Sequence, residues 1–193
     1  MYTGKNPSAL RSKDWLRKAL LQLLEEQKYT QITIKEICAR ADLSRQTFYQ
    51  MFDSKDEVME YHFMILFGEF SKECGDFESI SISELTCRFF QFFYQHRRFV
   101  DELIENNMTY ILEQQFERYL HQIALFQAIN DREKHPDYSL AYVAGALTQI
   151  LTHWFQCGFN VSAEEAGSMT EQMLTGAVFH SEGSKGGGVR LCR

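Results

Sequence analysis

The sequence predicts an all-α protein, and three observations carry that reading. Four segments of the form Ser/Thr-x-x-Glu, starting at Thr33, Ser54, Ser81 and Ser162, each stand ahead of an apolar run with helical spacing. In such a box the hydroxyl and the carboxylate satisfy backbone N–H groups orphaned at a helix start. Residues 8–135, between the two prolines Pro7 and Pro136, contain no proline, which suits long helices and is unusual for a turn-rich β protein. No run alternates polar and apolar residues as a half-buried strand would.

The elements follow in order. Leu16, Ala19, Leu20, Leu23 and Leu24 recur at three and four residues with charges between them, an amphipathic helix over about residues 8–27. Thr33 to Glu36 caps a short second helix carrying Ile34, Ile37, Cys38 and Ala41. Ser44 N-caps a third, 45–51, with Phe48 and Phe52 on its inward face. Ser54 to Glu57 opens a longer fourth helix ending near Gly75. Ser81 to Glu84 introduces an aromatic helix with Phe89, Phe90, Phe92, Phe93 and Tyr94. Helices are expected near 97–105, 107–128 and 137–158, and Ser162 to Glu165 opens the last, with Met169, Met173, Ala177 and Val178. These divide into a three-helix head, residues 1–55, a larger helical body, 56–181, and a Gly/Ser-rich tail, 182–193, expected to be disordered.

The 193 residues are 45% hydrophobic and 14% aromatic, too apolar for a disordered chain. The net charge of −6 hides an asymmetry: residues 1–52 carry nine basic and five acidic residues, whereas the remainder carries eleven and twenty-one. A basic head on an acidic body fits a polyanion-binding segment beside something unrelated. The five cysteines are widely spaced without a C-x-x-C, and the histidines form no ligand pattern. Neither a metal nor another cofactor is expected, and the cysteines read as small buried hydrophobes of a reducing cytoplasm. The N-terminus has no apolar signal core. Tyr138 to Ala163 lacks Asp, Glu, Lys and Arg, but Gln149, His153, Gln156 and Asn160 make it a buried helix or a helix–helix interface rather than a membrane span.

Residues 33–52 have the pattern of a helix-turn-helix. Cys38 and Ala39 are small where the next helix crosses; Asp42 stands where a left-handed backbone is needed, and Leu43 plugs the corner. Ser44, Arg45, Gln46, Thr47, Tyr49 and Gln50 give the following helix a capped start and side chains able to reach base edges and phosphates. Thr33-Ile34-x-x-Ile37, then Ala41-x-Leu43-Ser44, then Thr47-Phe48-Tyr49-x-x-Phe52-x-x-Lys55 resembles the signature of the TetR family of transcriptional regulators. The likeness covers about residues 10–60 and departs from the family pattern at Asp42, where glycine is common.

The resemblance implies a DNA-binding regulator, most simply a ligand-responsive repressor, and not an enzyme. By position it implies phosphate contacts from Thr33, from the Tyr49 hydroxyl and from Lys55 at the start of the fourth helix, with Ser44, Arg45, Gln46 and Thr47 turned to the groove. It implies a homodimer through the last two helices on a pseudo-palindromic double-stranded operator. It also implies an effector pocket among the middle helices, with Phe67, Phe89, Phe93, Tyr110, Phe116, Tyr119, His153 and Trp154 as candidate lining. Fourteen of the sixteen phenylalanines follow residue 60, so a small apolar or aromatic effector is expected. Other readings stay open: an activator or partner-regulated protein of the same fold, or a helical enzyme using the aromatic region. No nucleophile–base pair, metal cluster or phosphate loop favours the enzyme.

Overall fold

The computed structural model describes residues 6–75, 80–121 and 135–177, which form nine α-helices, one turn of 3-10 helix and no strand. They are α1 (Pro7–Leu24), the 3-10 turn (Tyr29–Gln31), α2 (Ile34–Arg40), α3 (Arg45–Met51), α4 (Lys55–Cys74), α5 (Ile82–Gln95), α6 (Arg97–Glu105), α7 (Tyr110–Leu120), α8 (Pro136–Gln156) and α9 (Ala163–Ala177). The tail at 182–193, residues 122–128 of one expected helix, and Val178 and Cys192 lie outside the described residues. No helix among the described residues is long and apolar enough to cross a membrane.

Each helix start has a local cause. Pro7 and Pro136 occupy first helical positions, where a missing N–H costs nothing. Thr33–Glu36 and Ser162–Glu165 form both arms of the capping box. Ser54 and Ser81 accept the N–H of Glu57 and Glu84, but the return arms go elsewhere: Glu57 takes the N–H of Asp53, and Glu84 takes Arg88. α7 starts at Tyr110 rather than 107, because Asn107 turns left-handed (φ 57°) and Met108 N–H closes back on the Leu103 carbonyl at 2.7 Å. Cys38 and Cys74 are buried as expected, Cys87 is half-buried, and Cys157 is exposed because it sits one residue past the solvent side of α8.

α1, α2 and α3 close a small core around Leu16, Leu20, Ile37 and Phe48, all at or near zero exposure. The first half of α4 completes it. Phe52 and Tyr61 continue a ring chain from Phe48 (5.9 and 5.7 Å between centroids). Two basic residues of α1 bind α4. Lys13, 3% exposed, holds its ammonium 4.4 Å from the Tyr61 ring centre and 5.1 Å from that of Phe52. Arg17 is fixed by Asp14 (2.7 and 3.0 Å) and donates to His62 Nδ1 at 3.1 Å. Because guanidinium only donates, Nδ1 must accept, which requires a neutral imidazole with its proton on Nε2. Burial, then Arg17 and His96, push the His62 pKa down to about 3, in agreement. The same ring stands edge-on to Phe99 of α6 at 4.5 Å, so His62 touches the head and the body at once.

The second half of α4 faces the body. Phe63, Phe67 and Phe70 meet α5 and α7 in a lattice of rings that includes Phe89, Phe92, Phe93 and Phe116. α8 packs along α7, and α9 lies along α5 in the most extensive helix pairing among the described residues. Gly167 explains how close that approach is: a Cβ there would stand 2.8 Å from the backbone N and Cα of Cys87.

Gly167→Ala is therefore expected to cost about 1–3 kcal/mol by forcing α9 off α5, read as a lowered melting temperature. For His62, the folded pKa lies below the unfolded value of 6.5, so stability is complete above about pH 6.5 and falls as pH drops towards 3. Between about pH 6.5 and 5, above the carboxylate range, unfolding free energy should decline by up to about 1.4 kcal/mol per pH unit. His62→Asn, which keeps an acceptor for Arg17, should flatten that limb in urea titrations.

Candidate functional site

The exposed face of the head is built on the α2–α3 corner. Asp42 adopts φ 53°, and Leu43 N–H closes on the Cys38 carbonyl at 3.0 Å, ending α2 and turning the chain. Aspartate tolerates this region at modest cost, so glycine is not required. Ser44 then accepts the Thr47 N–H at 3.0 Å and shares a 2.9 Å hydroxyl bond with Thr47. Phe48 and Met51 are buried, which fixes α3 on its inner face and turns Arg45, Gln46, Tyr49 and Gln50 outward. Tyr49 is 49% exposed, its ring edge-on to Phe48. Thr33 is exposed at the start of α2, but its hydroxyl is taken up within the capping box by Glu36. Ser44 and Thr33 thus hold helix ends, while Arg45, Gln46 and Tyr49 are the side chains extended towards solvent.

Lys55 stands at the start of α4, as expected, and is bonded within the protein. Its ammonium donates to the carbonyls of Tyr29 (2.6 Å) and Ile32 (2.9 Å) and lies 4.1 Å from the Tyr29 ring centre. Burial holds its pKa below the usual lysine value, with Asp56 and Glu36 opposing. Tyr29 in turn bonds Asp56 through its hydroxyl, and burial, then that carboxylate, pushes the phenol pKa up.

In the body, an apolar cavity lies between α4, α5, α7, α8 and α9. Of the candidate effector residues, Phe67, Phe89 and Phe116 line it. Phe93 stands one ring behind, against Phe89 and Phe116 at 4.8 and 5.7 Å, and Tyr119 backs Phe67 in a stacked pair at 3.7 Å. The other three are elsewhere. Tyr110 is exposed at the start of α7, where α6 has already ended. His153 is on the outer side of α8, with Nε2 3.4 Å from Cys157 Sγ. Trp154 is buried in a separate cluster with Phe90, Tyr94, Phe155 and Phe159, and its indole N–H donates to the Val161 carbonyl at 2.9 Å. The sequence reading missed Phe70 and Thr86 of the wall, and also Ile82, Leu85, Leu120, Leu147 and Leu174, which look like any core aliphatic in sequence. Thr86 supplies the one hydroxyl of the lining and turns it onto the Ile82 and Ser83 carbonyls of its own helix.

The cavity measures about 40 Å³. A dry cavity of about 150 Å³ holds benzene, and this one is several times smaller in its present shape.

Comparison with known proteins decides the family. Residues 16–61 match the description "Bacterial regulatory proteins, tetR family", and residues 81–176 match "Transcriptional regulator C-terminal region" of the same family. The chain belongs to the TetR family. It is a DNA-binding transcriptional regulator, with the helix-turn-helix in the first match and the cavity-bearing body largely in the second. The HTH-type dhaKLM operon transcriptional activator DhaS of Lactococcus lactis subsp. lactis is 27% identical over 158 residues, 77% of this chain and 72% of its own. A solved structure of a dihydroxyacetone kinase operon activator DhaS superposes with a TM-score of 0.57 at 20% identity, covering 87% of this chain and 96% of that one. The fatty acid degradation regulator FadR from Bacillus halodurans gives 0.59 at 17% identity, over 93% and 100%. At these identities the two structures share the TetR-family fold.

Truncating a wall residue tests the cavity. Phe116→Ala should cost about 3–5 kcal/mol in denaturant titration. The space created should let indole raise the melting temperature of the variant but not of the parent.

Proposed function

We propose that the protein represses transcription by binding a pseudo-palindromic operator as a homodimer, and that an apolar effector relieves repression by parting the walls of the body cavity. The observation that carries the DNA reading is the outward face of α3: Arg45, Gln46, Tyr49 and Gln50 extend from a helix anchored by Phe48 and Met51. Arg45 pairs with guanine and Gln46 with adenine in the major groove; Tyr49 meets a phosphate. Thr33 and Ser44 contribute chiefly as the caps of α2 and α3, and Thr47, bonded to Ser44, braces the first turn of α3. The division into a DNA-reading head, residues 1–55, and a regulatory body, 56–181, belongs to the same proposal.

Support for the dimer comes from the last two helices. α8 exposes Tyr138 (75%) and Tyr142 (51%), and α9 exposes Met169 and Met173 (55%). Large apolar side chains on consecutive helices are the kind of surface that a second copy covers across a two-fold axis. Such a dimer sets two recognition helices in major-groove segments about 34 Å apart.

The lining, apolar except for Thr86, whose hydroxyl is turned onto its own helix, supports a neutral, hydrophobic effector. The effector acts by favouring the opened body over the closed one, since equal affinity for both would shift nothing. Activation is the second reading, favoured by the Lactococcus relative, whose name describes a transcriptional activator.

Selection from random duplexes by the purified protein tests the main reading. An inverted repeat with half-sites one helical turn apart is expected, bound by a dimer in sedimentation; no enriched sequence, or a monomer on DNA, refutes it. Arg45→Ala should lose about 1–3 kcal/mol of discrimination at one base pair per half-site. A reporter driven through the selected sequence should rise when the regulator is deleted; a fall would establish activation instead.

A further inference from the structure

We propose that Lys55 is a positioning residue of the DNA-binding head and not a phosphate ligand: its ammonium clips the turn before α2 to the start of α4, and so sets the angle at which α2 and the recognition helix α3 are presented. The inference rests on DNA binding by α3 and reassigns one of the contacts that the family resemblance implies.

Three features carry it. First, the ammonium has three N–H donors, and two are committed to the carbonyls of Tyr29 and Ile32 at 2.6 and 2.9 Å. Second, neighbouring residues grip the same buried tyrosine from different sides. Lys55 covers its ring face at 4.1 Å, and Asp56 accepts its hydroxyl. Third, the first turn of α4 already carries Asp56 and Glu57, which occupy its positive end and repel an added phosphate. Swinging the ammonium out to DNA would strip the lysine from the Ile32 carbonyl, leave the Tyr29 carbonyl with the Ile32 N–H alone, and uncover the ring.

The geometry then explains what the clip positions. Ile32 ends the 3-10 turn, and Thr33 follows at once as the N-cap of α2. α2 is joined to α3 through the tight corner at Asp42. Lys55 therefore fixes the near end of the helix-turn-helix against α4, whereas Phe48 fixes the far end through the core.

The two roles differ in their salt signature. Each phosphate neutralised contributes about 0.9 to the slope of log affinity against log salt, and a positioning residue contributes nothing. Lys55→Met in the full chain, titrated with a duplex selected by the parent protein, should bind roughly tenfold more weakly with an unchanged slope. A slope shallower by about 0.9, or an unchanged affinity, overturns the proposal. A second measurement reads the parent protein, with Lys55→Arg used only to assign the Lys55 signal and separate it from that of buried Lys13. In the parent carrying ¹⁵N-lysine, the Lys55 ammonium signal should be protected from exchange without DNA and stay in place when the duplex is added. Absence of a protected signal, or its appearance only with DNA, likewise overturns it. If selection yields no DNA sequence at all, the regulatory reading fails, while the protected signal still decides the clip.

Discussion

One helix has to belong to two cores. α4 buries Tyr61 against Phe52 and Lys13 of the head and Phe63, Phe67 and Phe70 against the body, so its apolar residues serve both. The head by itself is too small to exclude water from Phe48 and Phe52; it becomes a core only when the first turns of α4 are laid across it. The body in turn uses the second half of the same helix as a wall of its cavity. Any rearrangement around the cavity that tilts α4 is thus felt at the helix-turn-helix, and His62, bonded to Arg17 and touching Phe99, marks where the two cores meet.

That constraint alters how the charge of the head is to be understood. Much of the basic excess in the first 52 residues is internal. Lys13 lies over two rings, Arg17 and Lys18 share Asp14, and Arg40 forms a two-bond pair with Glu26 at 2.7 and 2.8 Å. The exposed cations not spent this way include Arg11, Lys28, Lys35 and Arg45. The head is basic partly because arginine and lysine bind α1 to α4, and only partly because it faces a polyanion.

How much of this was legible beforehand follows from the range of each interaction. The four Ser/Thr caps and the left-handed Asp42 are settled within four residues and appear where the pattern put them, although at Ser54 and Ser81 the glutamate arm of the box goes elsewhere. The helix-turn-helix was legible for that reason. The direction of Lys55 was not, because its partners Tyr29 and Ile32 lie more than twenty residues away. The same holds for Trp154 and His153. Both lie on α8, yet one is drawn to Val161 and Phe159 after the turn and the other stays outside, a distinction that spacing alone does not make. The aliphatic wall residues give no signal in a chain where nearly every helix has such a face.

The Gly167–Cys87 contact has one more implication. Backbone meets backbone there, without flexible side chains between to absorb a shift. α5 bears wall residues of the cavity, and α9 bears the exposed methionines assigned above to the dimer. In the dimer and effector reading proposed above, occupying one cavity would move the seam that both protomers share, so the two cavities would be coupled and not independent sites.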